Sequence, residues 1–400
     1  MHDGHIVDLF AGPGGLDVAA GWLGIAAVGV ELDEEACATR VAAGLATRPG
    51  DVKGFRPSDF PAATVLTGGP PCQTYTVAGG TAGGAGRRAL AQVLALAELL
   101  ARGRESKVDK ELAKLAEAPG DLGRSGLVLE PLRWALTAMK QGNPYEAIVL
   151  EQVTTVRPVW EAFAKILERS GYTTATGVLH AEEYGVPQTR KRAVLIARLR
   201  GTGPAMLPEP THRSFRRKPR PAEPPKLPCV TMGDLLDLQQ PYEVISNYGT
   251  GGDPRARGRR RHDEPAFTVT SKIRRNKVVP PGSEGPDVRF SFAQAGQLQS
   301  FPRGFPWQGA DPSQQIGNAV PPLLGVHLLA AALYLGDEAR DAAVKKAIEC
   351  QAAAPQAASS PGEEQSRPLA SQGMIPFQEA ITVGTGRKRR SAASVGVPKR

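Results

Sequence analysis

A short apolar run that breaks into glycines and then resumes at helical spacing is the most constraining feature of this chain. Residues 5–10 (HIVDLF) read as a buried strand and residues 11–15 (AGPGG) as a tight turn. Leu16, Ala19, Ala20 and Leu23 then fall on one face of a helix. The pattern repeats: residues 26–32 predict a strand and 34–45 a helix, and further strands are predicted over 64–67, 147–153, 174–179 and 192–199. Strands alternating with helices imply an α/β fold with a mostly parallel sheet. In such sheets ligands bind beyond the carboxyl ends of the strands. Asp8, Glu31, Cys72 and Glu151 all fall at or just past such ends, so the candidate chemistry converges on one edge.

Composition enters through its distribution. The net charge is +9, yet residues 200–277 alone hold 16 Lys/Arg against 8 Asp/Glu. Clusters at 213–220, 255–261 and 272–277, interleaved with Pro and Gly, suit a surface that tracks phosphates, although a solvated loop region gives the same counts. Four cysteines stand far apart, without metal-ligand spacing or a disulfide framework. No apolar run of the roughly 18 residues needed for a membrane span is expected, nor does residue 1 onward read as a signal peptide. A cytoplasmic monomer without bound metal is the expectation.

Individual motifs read two ways. The turn Phe10-Ala-Gly-Pro-Gly-Gly15 lets a ligand approach the backbone, but it lacks the GxGxxG phosphate cradle and such turns are common. Glu31 is either an acceptor for ribose hydroxyls or a surface acid at a strand end. In Gly68-Gly-Pro-Pro-Cys72-Gln73, two prolines present a cysteine rigidly after a strand; the alternative is a buried inert thiol. Arg190 and Arg192, two apart at the start of a strand, could supply the positive field that a thiolate needs. Glu151 ends an apolar strand, where burial raises a carboxyl pKa and favours a proton donor, or where it merely caps.

Taken in order, these segments resemble the cytosine-C5 DNA methyltransferases. DLFAGPGG is similar to the family's first cofactor motif, GGPPCQ to its nucleophile motif and Glu151-Gln-Val to its Glu-Asn-Val. Gln188-Thr-Arg-Lys-Arg192 resembles its Gln-x-Arg-x-Arg, and Gln315-Ile-Gly-Asn-Ala-Val-Pro-Pro322 its late motif. The resemblance implies a Rossmann-like class I methyltransferase domain plus a small irregular target-recognition domain. It implies S-adenosyl-L-methionine as cofactor, held by Phe10, Gly12, Gly14, Gly15, Leu16, Glu31, Leu32, Asp51, Val52, Pro71, Asn318 and Val320. Cys72 would add to C6 of a flipped-out cytosine, with Glu151 on N3 and Arg190 or Arg192 near the base. Double-stranded DNA would be contacted by Gln73, Arg255, Arg257, Arg259, Arg260, Arg261, Arg274 and Arg275, and a cognate restriction endonuclease is an implied partner.

The expected layout is a catalytic domain over 1–199 with a helical insertion at about 87–120, target recognition over 200–288 and a return over 289–336. An extension over 337–400 follows, disordered beyond about 353. Three departures from the family pattern stand out: Gln152 for Asn, Thr76 for Ser and Gln294 for an acid. Three rivals are a transfer RNA methyltransferase of the same family, a non-catalytic DNA-binding relative and a Rossmann oxidoreductase. The first lacks its Cys-Phe-Thr tripeptide here, the second would have lost Cys72 or Glu151, and the third would need GxGxxG.

Overall fold

The computed structural model describes residues 5–71, 85–117, 126–217, 226–238, 241–246, 257–282 and 288–352. Strand β1 (His5–Leu9) leads through the glycine turn into helix α1 (Gly15–Trp22), then β2 (Ala26–Glu31), α2 (Glu34–Ala42), β3 (Thr47–Pro49) and β4 (Ala63–Gly68). The next helices are α3 (Ala85–Ala101), α4 (Glu105–Glu117) and α5 (Glu130–Lys140). Strand β5 (Ala147–Gln152), helix α6 (Arg157–Arg169) and the pair β6 (Tyr172–His180) and β7 (Lys191–Leu199) complete one sheet in the order β3-β2-β1-β4-β5-β7-β6. Pairing is parallel from β3 to β5, and β7 runs antiparallel to both its neighbours.

The chain winds outward from β1 to β3 and then returns to place β4 on the other side of β1. Ligands bind at such a reversal of strand order. Alternation along the strands explains why the sheet is buried on both faces. Val7, Leu9, Leu66, Ile148, Leu150 and Leu195 face one apolar cluster with Trp134, Trp160 and Phe163. Ile6, Val65, Val149, Val194 and Ile196 face the other, with Leu324, Leu328 and Leu329.

The insertion at 87–120 is two helices, α3 and α4, separated at Gly103, whose φ of 68° ends the first. Apolar residues of α3 (Val93, Leu96, Ala97, Leu100) join the first cluster, so this hairpin is built into the core rather than hung outside it. Beyond β7 the described residues contain α7 (Met232–Leu235) and a small antiparallel sheet, β10-β8-β9, made of β8 (Glu243–Ile245), β9 (Arg259–Arg261) and β10 (Lys277–Val279). Its core of Met232, Tyr242, Val244, Val269 and Ile273 is shared with Phe290, Leu298 and Ile316 from the segment that follows.

That segment holds α8 (Phe292–Leu298), α9 (Ser313–Asn318), α10 (Pro322–Leu333) and α11 (Asp337–Ala352). Gln294, standing where the family has an acid, closes a capping box with Ser291 at the start of α8 and so caps the helix as an acid would.

Two expectations need correction. The helix predicted over 34–45 stops at Ala42, because Gly44 at φ 70° turns the chain and the Leu45 N–H closes back on the Arg40 carbonyl; the short strand β3 that follows has three residues and gives no sequence signal. Among the described residues one stretch, Ser313–Leu333, is long and apolar enough to cross a membrane, contrary to the expectation that none exists; 89% of its most apolar window is buried in the protein, which is where that apolarity is used. The returning helix α8 packs against the small sheet, so the segments on either side of residue 288 share one apolar core. Residues 353–400, including the basic run at 387–390, lie outside the described residues.

Candidate active site

The carboxyl ends of β1, β2, β4 and β5 open into a cleft of about 880 Å³. Its floor is the glycine turn. Phe10 adopts φ 58°, a conformation that costs a side-chain-bearing residue energy and collects at functional sites. Gly12 and Gly14 follow at φ 54° and 99°. At Gly15 a Cβ would sit 2.0 Å from the Val320 carbonyl oxygen, so only glycine lets the late Gln315–Pro322 motif close against the turn.

Glu31 organises the opposite wall. One of its oxygens accepts from the Gly12 N–H at 2.7 Å, and the other from the Leu32 and Asp33 N–H groups at 2.8 Å each. A carboxylate has about four acceptor positions, so capacity remains for a ligand. Leu32 beside it is 65% exposed, an apolar face open to the cleft. Asp51 caps the next turn through the Lys53 N–H at 3.0 Å and ion-pairs with the Lys53 ammonium at 3.4 Å. Val52, Pro71, Asn318 and Val320 also line the cleft, as do Phe10, Gly12, Gly15 and Leu16. Gly14 does not: its missing Cβ would meet the Leu45 side chain at 2.3 Å and the Arg40 guanidinium at 3.1 Å, so it makes room behind the turn.

Glu151 ends β5 and is 4% exposed. Arg192 Nε approaches its Oε1 to 2.8 Å as an ion pair without the alignment of a hydrogen bond, which leaves that oxygen unpartnered. Burial pushes the carboxyl upward in pKa, opposed by Arg192 and Arg190. Its neighbour Gln152 reaches back to donate to the Pro70 carbonyl at 2.7 Å and accepts from the Val153 N–H. The longer amide thereby ties the end of β5 to the Gly-Gly-Pro-Pro loop. That loop delivers Cys72 and Gln73, which, with Thr76 and the glycine-rich residues 79–84, lie outside the described residues.

The two arginines expected beside one another have different surroundings. Arg192 faces Glu151, whereas the guanidinium of Arg190, 1% exposed, donates to the backbone carbonyls of Val269, Gly317 and Ala319. Gln188 acts similarly, donating to Leu298 and Gln299 and accepting from the Val269 N–H. Gln188 and Arg190 thus knit the sheet, the small domain and the late motif together, and the Arg190 Nε alone is left unpartnered toward the cleft. Sequence spacing placed both arginines on one face; it carried no sign that one would be consumed by carbonyls.

Cleft residues to which the sequence gave no part include Lys53, Leu127, Asp311 and Gln314. Thr39 fixes Gln315, donating to its carbonyl oxygen at 2.7 Å. Leu127 comes from the segment after the insertion, and nothing in its local sequence announces a ligand.

The basic candidates also divide. Arg259 pairs with Glu243 at 3.3 Å and Arg261 with Asp263 at 2.7 Å. Arg260 lies between the rings of Phe215 and Phe267, at 4.2 and 5.1 Å from their centroids. Arg274 covers Phe292 at 4.6 Å, and both it and Arg275 are exposed, while Arg257 is half-buried. Arg255 lies outside the described residues.

A doubly wound sheet with a glycine turn, an acid at the end of β2 and a buried Glu–Arg pair near the end of β5 has the form of an α/β enzyme with its ligand cleft at the reversal of strand order. The sequence profile of the C-5 cytosine-specific DNA methylases matches residues 4–98 and 146–251, half of the chain. The chain therefore belongs to that family. The unmatched interval between the two parts contains α4 and α5.

Among its relatives, the Type II methyltransferase M.NgoFVII of Neisseria gonorrhoeae is 26% identical over 359 residues, covering 79% of this chain and 83% of that protein. M.MthTI of Methanothermobacter thermautotrophicus is 24% identical over 81% of this chain and 95% of its own length. M1.HphI of Haemophilus parahaemolyticus is 30% identical over 191 residues, but there the chain spans only half the length of the relative. The crystal structure of the S. pombe Dnmt2 methyltransferase shares the fold, with a TM-score of 0.51 at 16% identity over 82% of this chain and 98% of that one.

Proposed function

We propose that the protein transfers a methyl group from S-adenosyl-L-methionine to C5 of cytosine in a specific duplex DNA sequence. The observation that carries this reading is the buried Glu151–Arg192 pair at the end of β5, opening into the same cleft as the glycine turn and the Pro71 loop that leads to Cys72. The cleft fits the cofactor: Leu32 offers an apolar face, Glu31 spare acceptor positions for ribose hydroxyls, and Asp51 an acceptor near the far wall. Phe10, Gly12, Gly15, Leu16, Val52, Pro71, Asn318 and Val320 would complete the pocket. The bound cofactor supplies an electrophilic methyl group.

The chain's own residues must make cytosine C5 nucleophilic. Cys72, as thiolate, adds to C6 and converts the aromatic ring to an enamine, and it leaves again by elimination once C5 has lost its proton. Glu151 favours the addition by holding or protonating N3, where negative charge would otherwise collect. Arg192 fixes that carboxyl and would supply the positive charge that favours the thiolate. A stacked base cannot reach a cleft at a sheet edge, so the cytosine must be extruded from the duplex. The relatives named as Type II methyltransferases support a modification enzyme, and its proposed partner is a cognate restriction endonuclease.

The test is transfer of labelled methyl to unmethylated duplex DNA, with transfer RNA offered in parallel and the products digested to nucleosides. Label in 5-methyldeoxycytidine is expected; label in RNA alone would replace this reading with that of an RNA methyltransferase.

The described basic side chains make a second expectation specific. Lys272, Arg274 and Arg275 are exposed together beside β10, whereas Arg259 and Arg261 are engaged by acids. Replacing all three by Ala should weaken DNA binding for every sequence and reduce the slope of log K against log salt by about one for each phosphate left without its cation. Cofactor affinity should not change. An unaltered salt slope in a titration series would remove this face from the DNA interface.

A further inference from the structure

Behind the glycine turn lies a closed cluster that the proposed chemistry does not use. Asp8 at the end of β1, Asp17 on α1 and Arg40 on α2 are 2%, 3% and 0% exposed. Arg40 grips both oxygens of Asp17, at 2.7 and 2.9 Å, and spends two further N–H groups on Thr47 Oγ1 at 3.1 Å and the Ala46 carbonyl at 3.0 Å. The backbone is cut back to admit it: a Cβ on Gly29 would stand 2.1 Å from its Nη2. Asp8 has a weaker partner, the Thr67 hydroxyl, which donates to it at 2.6 Å from β4. Asp17 raises the Asp8 carboxyl more strongly than Arg40 lowers it, and Asp8 also borders the cleft.

Counting charge decides the protonation. Two ionised carboxylates against one guanidinium would leave a full negative charge without water, at a cost of several kcal/mol in a dry interior. Glu31, the other charged group acting on this cluster, comes from β2 and adds negative charge, not positive. A single proton between Asp8 and Asp17 brings the group to neutrality and turns a repulsion into a hydrogen bond. Asp17 holds the guanidinium, so the proton belongs on Asp8, where burial and Asp17 both favour it.

We infer that Asp8 is a neutral carboxylic acid in the folded protein, donating to Asp17, and that it is a positioning residue: the floor of the glycine turn is a proton-linked Asp8–Asp17–Arg40 triad. A folded-state acid of this kind binds a proton that the unfolded chain, with Asp near 3.9, has lost at neutral pH. Its contribution to stability is complete below about pH 3.9 and declines as pH rises through the folded-state value. An amide needs no proton.

The test compares Asp8→Asn and Asp8→Ala with the full-length protein in denaturant unfolding from pH ~5 to ~9. Asp8→Asn should be at least as stable as the parent, with a margin that widens as pH rises, while Asp8→Ala leaves Thr67 and Asp17 short of a partner and loses stability at every pH. An Asp8→Asn variant less stable than the parent by a constant or growing margin would show an ionised Asp8 and overturn the inference. A carbonyl stretch of a protonated acid, present in the parent and missing in Asp8→Asn by infrared difference spectroscopy, reports the same proton without unfolding. For the cofactor arm, which rests on the reading of the cleft given above, S-adenosyl-L-methionine should bind Asp8→Asn within about threefold of the parent and Asp8→Ala about tenfold more weakly. Failure of the parent itself to bind would overturn that reading and leave the stability result to judge the proton.

Discussion

Replacing Cys72 with Ala is expected to abolish methyl transfer, with a loss of at least about 10⁴-fold in turnover while S-adenosyl-L-methionine still binds. The size follows from the chemistry. C5 of cytosine has no useful nucleophilicity until a nucleophile has added at C6, and Cys72 is the thiol that the loop after β4 carries. The loop residues Gly69 and Pro71 border the cleft, and Gln152 fixes the Pro70 carbonyl at 2.7 Å, so the chain enters Cys72 from a held position beside Glu151. A DNA duplex carrying fluorine at the target C5 gives a second readout. Fluorine cannot leave as a cation, so the Cys72–C6 bond would persist and appear as a protein–DNA adduct by mass. Parent protein that methylates DNA but forms no adduct, or a Cys72→Ala variant that retains more than about a hundredth of the activity, would show that another group is the nucleophile.

What the sequence made legible follows the physics of each element. The strands with continuous apolar runs, such as residues 5–9 and 147–150, were visible because burial on both faces demands such runs. The acids near their carboxyl ends, Asp8, Glu31 and Glu151, stand out because a carboxylate breaks an apolar pattern there, although the sequence reads Glu31 equally as a surface acid and Glu151 equally as a cap. The three-residue strand β3 was invisible, since its pairing with β2 is dictated by neighbours rather than by its own residues. The carbonyl partners of Arg190 are invisible in the sequence for a similar reason. Its spacing from Arg192 is a local signal, while the carbonyls of Val269, Gly317 and Ala319 that consume it come from segments some 80 to 130 residues away. Gln152 shows the reverse: a departure from the family pattern became intelligible once the longer side chain was seen to span from β5 to Pro70.

Glu151→Gln should lower the turnover of methyl transfer by about 10²- to 10⁴-fold, the range for losing a positioned proton donor. The amide keeps the shape and can still offer an N–H to the base, but it has no proton to give as charge builds on N3. The pH profile separates this from a loss of packing. Burial raises the Glu151 carboxyl and Arg192, 2.8 Å away, lowers it again. If the protonated acid is the working form, turnover falls as pH rises through its pKa, and Glu151→Gln should lose that alkaline limb. Arg192→Met removes the closest cation, so the carboxyl should hold its proton to higher pH and the limb should move upward. The acid limb, set by ionisation of Cys72, should move upward as well, because the same cation favours the thiolate. A Glu151→Gln variant within about threefold of the parent, or one that keeps the parent's alkaline limb, would leave Glu151 as a structural cap on β5. The limb would then belong to a different group.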